Sequence, residues 1–174
     1  MKRLNKNNKG FTLIELLAVI VILGVLMIIA IPMVSKYIKE SKQSAFIQTA
    51  KAYISSARYA YLNGDYTGNT CTNLDSGTGG SVYIKFKYIP VDKAGGQSSF
   101  NKKILKEYSY VRISSDSNGR YTYYVYMVDE GGNVIMEKEE EKLERKDVVT
   151  GGKTDGAVDT YKANSECTSS YTAD

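Results

Sequence analysis

Glu15 is a carboxylate at the start of an apolar run that extends over residues 16–31. An uncompensated charge beside lipid is costly, so such a residue usually has a partner. Thr12 stands three residues earlier, and this Thr-x-x-Glu spacing matches a capping box, in which the carboxylate accepts a hydrogen bond from a free backbone N–H. Cleavage after Gly10 would create an ammonium group on Phe11, about one helical turn from Glu15. The sequence therefore predicts a helix cap, an ion pair, or both.

The residue combinations that are typical of catalytic and metal sites are missing from the sequence. The chain has no His, which excludes Ser-His-Asp and Cys-His nucleophile pairs and imidazole metal ligands. Two cysteines without histidine are too few ligands for a zinc site, and the sequence has no phosphate-binding loop. The charged run at residues 137–147 is interpreted as a solvated helix or loop, because clustered carboxylates without a shaped pocket do not make an active site. We therefore predict no enzyme activity, no cofactor and no metal.

The order of charge and hydrophobicity at the N-terminus differs from that of a cleaved secretory signal. Such a signal is cut at small residues after its apolar region, whereas the boundary here, at Gly10, precedes the apolar region. Processing at Gly10 would leave the apolar segment on the mature protein. Basic residues before an apolar segment hold that end on the cytoplasmic side. This leader has four of them, Lys2, Arg3, Lys6 and Lys9.

The net charge of the chain comes from this leader. Lys and Arg total 23 and Asp and Glu total 19, which gives a formal net charge of +4. Taking the four leader residues from the 23 leaves 19 charges of each sign. The remainder is formally neutral, so the basic pI does not support nucleic-acid binding.

One long helix is predicted from Phe11 to Leu62. Residues 11–34 would be about 36 Å long, enough to cross a hydrocarbon layer of roughly 30 Å. In residues 35–62 the pattern is amphipathic, and Asn63-Gly64 is a helix stop. Apolar spacings of three and four predict a stripe that packs on a sheet, formed by Ile47, Ala50, Ile54, Ala57 and Tyr61. The opposite face carries Gln43, Lys51, Ser55 and Arg58.

Two residues disturb the apolar half of this helix. Gly24 lowers helix stability by about 1 kcal/mol relative to Ala. Pro32 lacks a backbone N–H and clashes with the preceding turn, which predicts a kink.

The remaining residues predict a small sheet domain. A polar loop over residues 63–80 leads into β-type patterns at residues 81–89, 108–114, 120–128 and 134–137, with a short helix expected at residues 101–107. Asn118-Gly119 is a strong hairpin signal between the second and third patterns. The predicted fold class is α+β: a long N-terminal helix, with a four-stranded antiparallel meander at residues 81–138 packed on its amphipathic half. A C-terminal loop region follows at residues 139–174.

The segment KGFTLIELLAVIVILGVLMIIAIP closely resembles the class III signal of type IV pilins and their relatives, the pseudopilins. The resemblance implies that a prepilin peptidase removes residues 1–10 by cutting between Gly10 and Phe11, and that the same enzyme methylates the new N-terminus of Phe11. It implies that Glu15 pairs with the N-terminal amine of a neighbouring subunit during assembly. It also implies that the helix between Gly24 and Pro32 can lose helicity in the fibre.

The same resemblance implies a separate role for each part of the chain. Residues 11–34 would be the transmembrane and polymerisation half of the helix, residues 35–62 its amphipathic half, and residues 63–174 the globular head. The function implied is a structural pilus subunit for adhesion, twitching motility or biofilm formation. Its partners would be membrane lipid, other pilin subunits, the prepilin peptidase, and the assembly platform with its ATPase. The protein would be a single-pass membrane protein with its head outside, then part of an extracellular filament.

A disulfide between Cys71 and Cys167 is also implied, since many pilins hold a C-terminal loop in this way. Two free thiols or a bond between subunits stay open as alternatives. Two other functions stay open as well: a pseudopilin of a secretion or DNA-uptake machine, and a signal-anchored binding domain that never polymerises. Ala52 stands where many pilin helices have a second proline, which leaves the curvature of the helix open.

Overall fold

The computed structural model of the chain describes residues 10–64, 80–89 and 96–151. The chain divides into two compact units, Met1–Lys39 and Glu40–Asp174. Cys71 and Cys167 lie outside the described residues, as do most of the predicted leader, most of the loop at residues 63–80 and most of the C-terminal region.

Helix α1 comprises Leu13–Asn63. It ends where the Asn63-Gly64 signal predicts, because Gly64 has a φ of 71°, a left-handed conformation that glycine adopts without strain. The described residues of the second unit form an antiparallel sheet with the strand order β1-β2-β3-β4-β5. Its strands are β1 Gly80–Lys85, β2 Tyr110–Ser115, β3 Tyr121–Val128, β4 Val134–Glu139 and β5 Val148–Val149. The α+β class is confirmed.

The prediction of four strands is wrong, because β5 adds a fifth at the edge of the sheet, where it pairs with β4. The first predicted strand also ends early. β1 stops at Lys85, and Phe86–Tyr88 form a 3-10 helix. The backbone N–H of Phe86 donates to the carbonyl of Ser109 (2.9 Å), and the Phe86 ring stacks on Tyr53 in α1. The Phe86 side chain is buried in this stack, and the strand ends there although the apolar alternation of the sequence continues.

The short helix predicted at residues 101–107 is also wrong. Asn101 has a φ of 58°, and the chain forms isolated bridges instead, between Gln97 and Lys103 and between Ile104 and Asp129. Pairing with a distant segment overrides the local helical preference here.

The hairpin between β2 and β3 is confirmed at Asn118-Gly119. The carboxylate of Asp116 accepts the backbone N–H groups of Asn118 (2.9 Å) and Arg120 (2.8 Å). Gly119 has a φ of 75° and donates its N–H to the Asp116 carbonyl (3.0 Å). This is the turn followed by a left-handed glycine that joins many three-residue hairpins.

The core of the second unit lies between one face of α1 and one face of the sheet. The stripe residues Ile47, Ala50, Ile54 and Ala57 are buried, and Tyr61 is half-buried. Phe46, Tyr53 and Ala60 are buried as well, so the buried face is wider than the stripe.

Two polar residues assigned to the outer face of α1 are in fact half-buried. Gln43 donates to the Val148 carbonyl (3.1 Å), and Arg58 donates to Glu140 (2.7 Å) and lies over the Tyr123 ring. The charged run at residues 137–147 is therefore not simply solvated. It contains the end of β4 and two 3-10 helices, and Leu143 within it is buried against the core.

Burial of the Tyr53 hydroxyl leads us to expect that its removal stabilises the fold. Tyr53 is fully buried and its ring stacks on Phe86 with centroids 3.7 Å apart, but its hydroxyl has no hydrogen-bond partner within residues 10–64, 80–89 and 96–151. Burying an unsatisfied hydroxyl costs about 1–3 kcal/mol. Tyr53→Phe should therefore raise the free energy of unfolding by about 1 kcal/mol, measured by urea denaturation of the detergent-solubilised chain.

Tyr110→Phe is the matched control, because the hydroxyl of Tyr110 donates to the Glu137 carboxylate at 2.6 Å. This variant should lose about 1–2 kcal/mol, since a hydrogen bond to a charged group is removed. Equal losses for both variants would contradict the assignment of Tyr53 as an unsatisfied group.

Candidate membrane and assembly segment

The start of α1 has the geometry of a capping box. The backbone N–H and the hydroxyl of Thr12 both donate to Oε2 of Glu15, each at 2.8 Å. In return, the backbone N–H of Glu15 donates to the Thr12 hydroxyl oxygen (3.3 Å). The cap predicted from the Thr-x-x-Glu spacing is present, and it positions the carboxylate at the helix N-terminus, where the macrodipole also favours a negative charge.

The cap engages only one of the two carboxylate oxygens. All the hydrogen bonds that Glu15 accepts from described residues go to Oε2. Oε1 is left open to solvent or to a group from outside the chain. The cap and a second interaction of Glu15 are therefore compatible.

Gly10 and Phe11 precede the helix and are accessible. Phe11 is 93% exposed, and a Cβ added at Gly10 would meet nothing within 4 Å. Neither residue has a helical conformation. The peptide bond between them therefore lies in an exposed, non-helical stretch.

The apolar segment, defined as residues 11–34, presents its side chains outward over its whole length. α1 is long and apolar enough to cross a membrane, by length and composition, and none of its most apolar stretch is buried inside the molecule. The exposed side chains include Leu16, Ile20, Leu23, Met27 and Ile31. An apolar surface of this size is a site of contact with lipid or with other proteins.

Gly24 and Pro32 both lie within α1, which continues through them. Pro32 has no N–H to donate, so the carbonyl of Ile28, four residues earlier, lacks its usual helical partner. A Cβ at Gly24 would meet nothing within 4 Å, so close packing within this chain does not require the glycine there. Softening of the helix between these residues stays a prediction.

Sequence reasoning missed Tyr37 and Ile38, which are 75% and 48% exposed and extend the apolar surface beyond Val34. The signal was present, since tyrosine next to a lysine after an apolar run is typical of the membrane–water interface.

Within residues 10–64, 80–89 and 96–151, no group of three or more Cys, Asp or Glu side chains could hold a metal ion. The pairing of Cys71 with Cys167 lies outside these ranges.

The N-terminal part of the chain is similar to a known sequence motif. Residues 5–31 match the family model described as the prokaryotic N-terminal methylation motif. Among curated proteins, the chain is 39% identical over 87 residues to a fimbrial protein of Neisseria meningitidis serogroup B, covering 49% of each chain. It is 36% identical over 86 residues to the type IV major pilin protein PilE of Neisseria gonorrhoeae, covering 49% of this chain and 50% of the relative.

A third relative is the type IV major pilin protein PilA of Myxococcus xanthus, 48% identical over 52 residues, or 30% of this chain and 24% of that one. These matches confirm the resemblance to type IV pilins. The chain spans about half the length of the Neisseria relatives it matches. No solved structure matches it.

Proposed function

We propose that this chain is a structural subunit of a type IV pilus that polymerises through the apolar segment. The observation that carries the proposal is the exposed apolar face of residues 11–34, in a chain whose residues 5–31 match the methylation motif. An apolar surface of this kind needs lipid or another apolar surface to cover it. The related proteins are named as fimbrial and pilin proteins, which fits a structural rather than a catalytic role.

The first step is removal of residues 1–10. A prepilin peptidase cuts between Gly10 and Phe11 and methylates the amine of Phe11. Glycine at the cleavage position leaves no side chain between the backbone and the catalytic groups of the peptidase. The accessible conformation of Gly10 and Phe11 supports this step.

The second step is the transfer of the apolar segment from lipid to the filament. Residues 11–34 anchor the chain in the membrane with the head outside, and residues 35–62 hold the helix on the head. An assembly platform and its ATPase then extract the subunit, and the apolar segments of neighbouring copies replace lipid around one another. Apolar contacts gain little energy in this exchange, because lipid is already apolar. A polar contact must therefore set the register.

Glu15 is the residue that supplies this contact. Its carboxylate pairs with the N-terminal ammonium of Phe11 in a neighbouring subunit, through the oxygen that the cap leaves open. Such a pair is favourable only if both charges are buried together, and removing one partner then leaves an uncompensated charge. The pair therefore sets the axial position of a neighbouring subunit, because the amine of that subunit must lie level with Glu15.

Processing at Gly10 gives a direct test. The mature protein from sheared filaments should begin with N-methylphenylalanine at position 11, as read by mass spectrometry of its N-terminal peptide. Gly10→Val should retain residues 1–10 in most molecules, because a branched side chain blocks approach of the backbone. Gly24→Ala is the control, since it lies outside the cleavage sequence and should be processed normally.

A mature chain that begins downstream of Ile31 would contradict retention of the apolar segment. Abundance of the chain in the sheared filaments separates a pilus subunit from a pseudopilin, which would not form long surface filaments. A protein that stays in the membrane and never enters filaments would instead be a signal-anchored binding domain.

A further inference from the structure

A loop of the second unit lies against α1 near the start of that unit. Ser99 Oγ donates to the carbonyl oxygen of Lys42 (2.7 Å), and the Phe100 ring contacts the Phe46 ring edge-on with centroids 5.7 Å apart. The loop is closed on itself by a hydrogen bond from the backbone N–H of Ser98 to the Lys102 carbonyl (2.6 Å). These contacts fix residues 96–104 beside Lys42.

The loop carries two exposed cations, Lys102 and Lys103. A Cβ added at Gly131 would lie 2.8 Å from Cγ of Lys102, so the aliphatic stem of this lysine crosses the glycine backbone and leaves the ammonium group at the surface. Neither lysine, nor Lys42, forms an ion pair with any residue in the described parts of the chain.

Two acidic residues lie close to these lysines. Glu130 is exposed and donates its backbone N–H to the Lys103 carbonyl (2.9 Å). Asp129 is fully buried, and its carboxylate accepts hydrogen bonds from the neutral groups of Ser98 and Asn133. Among the described residues 96–104 and 129–133 there are therefore two exposed lysines and one exposed acid, Glu130.

We propose that Lys42, Lys102 and Lys103 form a surface that binds anionic phospholipid headgroups while the chain is anchored in the membrane. This rests on the proposed membrane stage. Lys42 follows Val34, the end of the apolar segment, by eight residues in the sequence, and Lys36 and Lys39 come between them. Lysines close to an anionic lipid surface are attracted to it within about a Debye length, roughly 8–10 Å. The contact holds the head at the membrane before assembly.

Amine labelling of the full chain tests this surface. The chain is reconstituted in phosphatidylcholine vesicles, with or without phosphatidylglycerol, and treated with a membrane-impermeant amine reagent, and each lysine is quantified by peptide mass spectrometry. Lys102 and Lys103 should label roughly threefold to fivefold more slowly with phosphatidylglycerol present, and the difference should disappear at high salt. Lys51, an exposed lysine on the same helix, is the control and should label equally in both vesicles.

A double variant, Lys102→Glu with Lys103→Glu, should insert normally but lose the dependence of Lys42 labelling on phosphatidylglycerol. Equal labelling of Lys102 and Lys103 in the two vesicle types, in inserted protein, would overturn the inference while leaving the proposed function intact. Protection by added duplex DNA but not by phosphatidylglycerol would overturn it in favour of a nucleic-acid partner. Failure of the chain to insert at all would contradict the membrane stage as well.

Discussion

Glu15→Ala should abolish filaments while leaving a processed, membrane-anchored chain. Breaking a buried ion pair by removing one partner costs about 3–5 kcal/mol. Because each 1.4 kcal/mol is a factor of ten in an equilibrium constant, this loss at every subunit contact of the proposed filament weakens each addition by roughly a hundredfold to several thousandfold. The readout is the amount of this chain in sheared filaments, compared with its amount in the membrane fraction.

Thr12→Ala separates the two roles of Glu15. The variant removes the hydroxyl that exchanges hydrogen bonds with Glu15 but keeps the carboxylate. Loss of a helix cap costs about 0.5–2 kcal/mol, so filaments should be reduced only modestly. If both variants lost filaments equally, the cap alone would explain Glu15. If Glu15→Ala assembled normally, the pairing with Phe11 of a neighbour would be wrong.

Asp129→Ala should destabilise the head more than any other single substitution considered. The fully buried carboxylate accepts hydrogen bonds from Ser98 Oγ (2.5 Å), from the Gly131 N–H (2.8 Å), and from both the backbone and side-chain N–H groups of Asn133 (3.0 Å each). Alanine leaves these donors unsatisfied in the interior at about 1–3 kcal/mol each. We expect a loss of about 3–5 kcal/mol in the free energy of unfolding, since part of the cost is relieved by relaxation.

Asp116→Ala is the control for this prediction. Asp116 makes the same kind of turn, accepting the N–H groups of Asn118 and Arg120, but it is exposed. Water replaces its hydrogen bonds, so the loss should be about 1 kcal/mol. Urea denaturation of both variants measures the difference. Similar losses would show that burial of Asp129 has no special consequence.

The parts of the fold that could be predicted are those with a strong local signal. The helix end at Asn63 and the hairpin at Asn118-Gly119 follow from residues that adopt left-handed conformations. The stripe at Ile47, Ala50, Ile54 and Ala57 follows from helical spacing. The cap at Glu15 follows from a four-residue pattern that needs no tertiary contact.

The parts that could not be predicted depend on distant contacts. The segment at residues 101–107 has a composition suited to a helix, but Ile104 pairs with Asp129, 25 residues away. β5 has only two residues, too short for any alternation to be visible. The half-burial of Gln43 and Arg58 depends on contacts with Val148 and Glu140, and the pattern of residues 137–148 does not show that this segment folds back onto α1.

The core cluster of the second unit begins at Phe46 and includes nothing from the apolar segment. Different contacts therefore limit the substitutions that the head and residues 11–34 can accept. Substitutions on the head surface are tolerated as long as the core between α1 and the sheet is kept, whereas under the proposed function substitutions in residues 11–34 are limited by the lipid and the neighbouring copies that cover them. An unchanged N-terminal segment is therefore compatible with heads of different sequence, provided that each head keeps its own core against α1.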